Sequence, residues 1–520
     1  MRSQPVTIPN ALRRHTGSSA GPSARPGCKT HVWRMLARTG MLMALLALML
    51  PACSDGNDND VRNLPLQDVT VRSLPWVAVD SHRLLDEWGR EITVRGINAR
   101  IEGLFDVTFD DGRIALEPIP EFTRQDAEAM VRYGFNVLRL PVSWSGLEPH
   151  EGEFSERYFE KLDDVINLCR EAGLYVLVDF HQDAYSKEIG EDGAPLWAIV
   201  PPPQQLLEGP LENLTERRFS EQVFNAFQGF FENQAGVQDK FLPVWKRVVG
   251  RYADRAEVIG FEPMNEPFVS HFDPSQQVLY DFYYKLLPAM RALDDKHSLW
   301  MEPDVVRNFG NSAPLLSAPF PDSNIVYAPH IYPSGVQAST YAQWKSWLDE
   351  NYSNMKTEAN SWGGALVVGE WGAHPDSAQS EGYIRAQQEA AETWSSGQML
   401  WLWKEDSQGS WGFCDFDEAT DSWVVRDSAV RLFGRPYALA VPGTMLTQTF
   451  DPDTRVLSFS FESRGSEQAG PLLYLPEVWF AELPTIRING SVVGYERDAS
   501  SQRVLLDWAG ETGRFDVVVQ

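Results

Sequence analysis

A chain of 520 residues can hold a strand–helix barrel of about 250 residues or more together with a second domain. With 43% hydrophobic residues its composition is that of a globular protein, which excludes wholesale disorder. The formal charge of −27 argues against nucleic acid, whose phosphates would repel it, and gives no support for docking on anionic lipid. A neutral partner such as a sugar fits better.

Residues 1–53 read as a leader. Met41–Ala52 is an apolar run preceded by Arg34 and Arg38, the charged-then-apolar layout of a secretory signal. It is too short to span a bilayer. Leu50-Pro51-Ala52-Cys53 resembles the lipobox of bacterial lipoproteins, which makes Cys53 the candidate for lipidation. A plain signal peptide with an incidental cysteine is the alternative. Residues 1–34 are polar and rich in Pro, Ser and Arg, and Met35 would make a more usual start. Residues 54–75 read as a polar linker.

Between 76 and 440, short apolar runs alternate with amphipathic stretches, as repeated strand–helix units require. Eight strands are expected, at Ile92–Asn98, Phe135–Trp144, Leu174–Asp183, Glu257–Glu266, Ser298–Pro303, Asn324–Tyr332, Ala365–Trp371 and Gln398–Lys404. Helices are expected between them at Arg124–Tyr133, Glu156–Ala172, Phe241–Tyr252, Gln277–Leu293, Tyr341–Tyr352 and Glu381–Ser395. Thr123 caps the first, and Gly173 stops the second. Eight strands apolar on both faces imply an α/β fold, a (β/α)8 TIM barrel; a doubly wound open sheet is the alternative. The stretch between Asp183 and Phe241 is unusually long and carries Phe224, Phe227, Phe230 and Phe231. These rings are expected to form a core beneath the loop, with an apolar wall for a lipid-like group as the rival reading.

From 441 to 520 the pattern changes. Arg455–Glu462 alternates with period two, and short strands follow at Thr485–Asn489, Arg503–Trp508 and Phe515–Gln520. A small C-terminal antiparallel β-sandwich is expected. Cys169 and Cys414, in the body of the chain, permit one disulfide and demand none; a buried free thiol is the expectation for Cys169.

At the carboxyl ends of the expected strands stand Arg139, His181 and Asp183, Asn265 and Glu266, His330 and Tyr332, Glu370, and Trp401 with Trp403. That rim is where barrels carry their chemistry. Pro267 biases Glu266 towards an extended backbone. Two carboxylates across a sugar-sized gap are what glycosidic cleavage needs, with Glu266 as proton donor and Glu370 facing it. Asn265 is placed to hydrogen-bond a sugar hydroxyl, and Arg139 to hold Glu370 ionised. A tryptophan offers a flat face to a sugar ring. Glu262 reads as a buried partner for Arg139 or a nearby donor, and Glu302 as the one rival for a catalytic role. No zinc spacing, nucleophile elbow or phosphate loop is present, so no cofactor and no metal are expected.

Arg139, His181, Asn265-Glu266-Pro267, His330, Tyr332, Glu370 and Trp401 stand in the order seen in glycoside hydrolase family 5, which this sequence resembles. The resemblance implies the (β/α)8 barrel and a retaining mechanism with Glu266 as acid/base and Glu370 as nucleophile. Val178-Asp-Phe-His181-Gln-Asp183-Ala-Tyr-Ser186 and Arg435-Pro436-Tyr437 resemble the endoglycoceramidase subgroup, which hydrolyses the bond between glycan and ceramide. There the partner is a glycolipid. The subgroup commonly carries a lysine after the first strand; this chain has Arg100, and the two differ in shape and hydrogen bonding. Other β-glucosidases, acting on glucosylceramide, steryl glucosides or β-glucan, are the rival reading. A non-catalytic carbohydrate- or lipid-binding lipoprotein is the rival of another class. A monomer, lipid-anchored at the cell envelope, completes the expectation.

Overall fold

The computed structural model describes residues 69–520, apart from 334, 406–410 and 483. The leader, Cys53 and most of the expected linker lie outside the described residues. Among the described residues, no helix is long and apolar enough to cross a membrane.

Eight parallel strands close into a ring. They are Val94–Asn98, Val137–Val142, Tyr175–Phe180, Val258–Glu262, Ser298–Met301, Ile325–Tyr327 continued by His330–Ile331, Ala365–Leu366 continued by Val368–Trp371, and Gly397–Leu400. The eighth pairs with the first, Gly397 opposite Val94. The sixth pairs with the seventh in both of its halves, Val326 opposite Ala365 and His330 opposite Glu370. The ring is therefore a closed (β/α)8 barrel, not an open sheet. Every residue of the first five strands is buried, as befits strands with side chains packed inside and helices outside.

Local signals set the helix boundaries. Thr123 and Asp126 form a capping box at the start of Arg124–Arg132. Glu156–Ala172 begins on Ser155 and stops at Gly173, whose φ of 82° only glycine adopts at little cost. Two helices differ from expectation. The helix expected from Phe241 starts at Val237, and the one expected to end at Tyr352 runs on to Trp362, stopping at Gly363 with φ 85°. Ser353-Asn354 resembles a break in sequence, yet Met355, Ala359 and Trp362 continue the buried face and outweigh weak propensity.

The long insertion is ordered by two helices, Leu214–Arg218 and Glu221–Phe231. Phe227 and Phe230 are fully buried and join the main core, where Phe230 meets Phe241 and Phe282 edge-on. Two of the four rings are thus core, as expected, though not a separate one; Phe231 packs against it half-buried, and Phe224 is half-buried against Phe268. Cys169 and Cys414 are both buried free thiols.

The C-terminal region is a sandwich of two antiparallel sheets. One holds Thr444–Asp451, Val456–Arg464, Thr512–Val519, Ile486–Ile488 and Ser491–Val492. The other has seven strands and recruits three from the start of the chain, Val77–Asp80, Arg83–Asp86 and Arg90–Ile92, the last of which pairs with Tyr437–Pro442. Phe450, Phe459, Phe461, Leu473 and Val517 fill the space between the sheets. The outer face of the seven-stranded sheet closes the barrel's lower end: Val94, Val137, Tyr175 and Ile259 share one apolar core with Leu84, Ile92, Leu439 and Tyr474. The Arg-Pro-Tyr segment lies in this seam. Arg95 stacks on the Tyr437 ring at 3.9 Å, and the Tyr437 hydroxyl donates to the Gly134 carbonyl.

Inside the barrel the packing leaves no room for an added methyl at Gly260, where a Cβ would lie 2.3 Å from Trp300 Nε1 and 2.7 Å from the Ser298 carbonyl. Gly260→Ala is expected to destabilise the protein by about 1–3 kcal/mol in urea unfolding. Gly250, within the Val237–Tyr252 helix, meets only Leu293 at 3.6 Å; Gly250→Ala should stabilise by about 0.5–1 kcal/mol. Equal effects at the two positions would contradict this account of the core.

Candidate active site

The floor of the site is one guanidinium. Arg139, in the second strand, is wholly buried, and its five N–H groups are spread over side chains from four strands and from the segments that follow the fourth and fifth. Nη1 donates to Asn98 (3.0 Å) and Glu370 (2.7 Å), while Nη2 reaches Glu262 (2.5 Å), Asn265 (2.8 Å), Glu302 (3.2 Å) and Asp179 (3.2 Å). Burial alone would lower the pKa of Arg139, but Asp179, Glu262, Glu370 and Glu302 outweigh it and raise it well above the ordinary value. Glu262 is thus the buried partner expected for Arg139.

Glu370 lies one residue before the end of the seventh strand, with both oxygens engaged. Oε1 takes Arg139, and Oε2 accepts from the Tyr332 hydroxyl at 2.8 Å. Its pKa nonetheless moves upward: burial and the neighbouring Glu266 outweigh the downward pull of His330 and Arg139. Arg139 does favour the charged form, as expected, but burial and Glu266 outweigh it. Tyr332 is pushed well above its usual range by burial and by Glu370, so it stays a phenol and a donor.

Glu266 does not lie on a strand. The fourth strand ends at Glu262, four residues earlier. Nor is Glu266 extended as Pro267 suggests: its φ is +41°, a left-handed conformation that costs a residue with a Cβ about 1–3 kcal/mol. Surrounding contacts impose it. The Gln182 amide donates to the carbonyls of Asn265 (2.7 Å) and Glu266 (3.0 Å), and the Glu266 Oε1 accepts from Asn308 Nδ2 (3.1 Å).

His330 joins the two glutamates. Its Nδ1 lies 2.9 Å from Glu266 and 3.4 Å from Glu370, and its Nε2 lies 3.2 Å from Glu302. One oxygen of Glu266 and one of Glu370 lie within 4.8 Å of each other and of the imidazole. Burial would lower the pKa of His330, but Glu302 and Glu370 raise it well above the ordinary value. His181 is likewise raised, by Asp179 at 2.6 Å against its own burial. In both rings the neighbouring carboxylates favour the protonated form, and the stability this contributes is lost as pH rises through the raised values. Asp183, though buried, is brought down to about 2 by His181. Glu302, the rival carboxyl, is fully buried, 3.2 Å from His330 Nε2 and from Arg139, and does not line the cavity.

Above this floor opens a cavity of about 520 Å³ lined by His181, Asp183, Asn265, Glu266, Tyr332, Glu370 and Trp401. Trp401 stacks on His181 with 5.6 Å between ring centres. Trp403 does not share its face: the eighth strand ends at Leu400, and Trp403 is buried with its indole N–H on Asp126. Arg100 lines the cavity beside Glu117 and Glu405, and Arg218 beside Glu191, giving a charged wall. Phe309, Pro333 and Trp411 supply an apolar wall against Tyr332. Sequence reasoning missed Asn308, Phe309, Arg218, Glu191, Glu405 and Trp411. They sit on loops or in helical turns of four or five residues, too short for a periodicity to reveal them. Three groups of histidine and carboxylate have donor atoms close enough for a cation, namely His181/Asp183/Asp192, Glu262/Glu302/His330 and Glu266/His330/Glu370. In each the imidazole is already engaged by carboxylates.

Comparison with known proteins bears on this geometry. Residues 89–407 match the model of the cellulase family, glycosyl hydrolase family 5. The chain belongs to that family. Residues 435–519 match the glycoside hydrolase family 5 C-terminal domain. Endoglycoceramidase I of Rhodococcus hoagii is 30% identical over 277 residues, 50% of this chain and 54% of that protein. Endoglycoceramidase of Cyanea nozakii is 27% identical over 281 residues, 46% of this chain and 52% of that one. The family member described here thus aligns over about half the length of these curated relatives. Endo-glycoceramidase II from Rhodococcus sp., solved as its lactosyl-enzyme intermediate, superposes with a TM-score of 0.70 at 24% identity, covering 85% of this chain and 99% of that one.

Replacing Arg139 by Met would leave four buried carboxyl groups without their common cation. This is expected to cost about 3–5 kcal/mol of stability at neutral pH. The loss should shrink at pH 5, where the orphaned carboxylates protonate more readily. Urea unfolding at the two pH values checks it; an equal loss at both would contradict the charge-based account.

Proposed function

We propose that this family 5 protein is a retaining β-glycosidase that hydrolyses the bond between the glycan and the ceramide of glycosphingolipids. The observation that carries the reading is the close pair of Glu266 and Glu370 across one imidazole, at the floor of a cavity with one charged and one aromatic wall. Carboxyl groups about 5–5.5 Å apart suit a double displacement, and inversion needs a wider gap to seat a water.

In this scheme Glu370 attacks the anomeric carbon while Glu266 gives its proton to the departing oxygen. A glycosyl ester forms on Glu370. Water then attacks the same carbon, Glu266 takes back a proton, and Glu370 is released. The side chains fit their roles: Glu370 is only 6% exposed and braced by Arg139 and Tyr332, while Glu266 is 16% exposed at the cavity wall. Asn265, its oxygen held by Arg139, keeps an amide N–H for a sugar hydroxyl. Trp401 and His181 form the platform for the sugar ring. The apolar wall of Phe309, Pro333 and Trp411 suits a lipid aglycone, and the endoglycoceramidases among the relatives favour ceramide. A steryl glucoside is the second reading, since sterylglucosidase 1 of Cryptococcus neoformans shares the fold at a TM-score of 0.67. The lipobox-like segment supports a lipid anchor at Cys53.

Glu370→Gln is expected to abolish turnover without altering thermal unfolding; near-normal activity would exclude it as nucleophile. Proton NMR of the released sugar should show the β-anomer first. Mass spectrometry of products from a panel of glycosylceramides and steryl glucosides should show intact glycan and free ceramide; release of sterol alone would favour the second reading. Cys53→Ser should move the protein from the membrane fraction to the soluble one, and unchanged retention would contradict acylation.

A further inference from the structure

The fifth strand is followed by a short turn whose place in the site has no counterpart among the residues expected to act. Asn308 sits in the turn Val306–Phe309 and is 1% exposed. Its Nδ2 donates to Glu266 Oε1 at 3.1 Å, its Oδ1 accepts from the backbone N–H of His330 at 3.1 Å, and its carbonyl accepts from that of Tyr332 at 3.1 Å. One residue therefore touches Glu266 and sets the backbone of two side chains that contact Glu370.

The turn is held from behind. Arg307 donates to Glu358 (2.8 Å) and Asn351 (2.9 Å) on the helix Tyr341–Trp362, and Glu358 also accepts from Tyr327 in the sixth strand. Asp304 fastens the front of the turn, accepting from the backbone N–H groups of Val306 and of Val269 in the loop after Glu266. Asn308 is thus presented on a rigid support, as the positioning of a reacting group requires.

We infer that Asn308 is a positioning residue for the proton donor: its amide, together with the His330 Nδ1 at 2.9 Å, occupies Glu266 Oε1, which leaves Oε2 as the oxygen that carries and delivers the proton. The inference rests on the reading of Glu266 as the acid. A neutral carboxyl has one O–H, and the oxygen that receives an amide N–H acts as acceptor. With Oε1 so engaged, the acid has one productive arrangement. Without the amide, Oε1 keeps only the His330 Nδ1 contact at 2.9 Å, and the carboxyl is held from one side instead of two. The loss falls on the step in which the leaving group needs a proton.

Leaving-group dependence tests this. Phenyl and 2,4-dinitrophenyl β-glucosides and β-lactosides are assayed with the full chain, using the sugar that the unaltered enzyme cleaves. Asn308→Asp keeps the size of the side chain and an acceptor for His330 but removes the donor. Its kcat/KM on the phenyl glycoside should fall at least about tenfold further than on the dinitrophenyl glycoside, whose departure needs no proton. Asn308→Ser, which adds no charge, serves the same comparison should the aspartate variant unfold. Equal losses on both substrates, or wild-type rates on the phenyl glycoside, would overturn the inference. Glu266→Ala is run alongside: if it shows no leaving-group discrimination, the assignment of Glu266 as acid fails, which is a different result.

Discussion

A single buried guanidinium holds this site together. Arg139 lies at the axis of the barrel with no access to water, a position that would cost an isolated cation several kcal/mol or more. The cost is offset because Asp179, Glu262, Glu302 and Glu370 converge on it with Asn98 and Asn265. Each of those groups in turn needs the cation, since four carboxyls in one apolar cylinder would otherwise repel. The arrangement works only if the strands close at the right register. The same contacts that aim Glu370 therefore also select the barrel's geometry.

Around that centre the two glutamates are treated differently. Glu370 is fixed from a strand, with a donor on each oxygen. Glu266 is carried on a loop and kept in a left-handed backbone by the amide of Gln182 and by Asn308. A nucleophile must hold one line of attack, which suits a strand. A group that gives a proton and later reclaims it needs one oxygen held and one left for the substrate, and a braced loop supplies that.

The barrel was legible in the sequence because its signals are local and repeated. Each of the eight apolar runs lies at or close to a strand, and His181, Asp183, Asn265, Glu266, Tyr332, Glu370 and Trp401, named from strand ends, do line one cavity, whereas Trp403 turns away from it. Errors arose where a neighbour overrides local preference. Pro267 favours an extended Glu266, yet Gln182, distant in sequence, dictates otherwise. Ser353-Asn354 reads as a helix end, but Glu358 lies beyond it because it must reach Arg307 and Tyr327. Trp401 and Trp403 look equivalent by spacing until the strand is seen to stop at Leu400. Asn308 and Trp411 gave no pattern to read, for their meaning comes only from what the fold brings opposite them.

The seven-stranded sheet under the barrel has a consequence for how the molecule is made. It weaves strands from residues 77–92 with strands from 437–506, and its outer face is the lid on the barrel's apolar lower mouth. During synthesis the early strands must wait, unpartnered on that side, until more than four hundred residues have left the ribosome. Catalytic ring and sandwich thus mature as one cooperative unit, and a fragment cut between them would leave a greasy opening at the base of the ring.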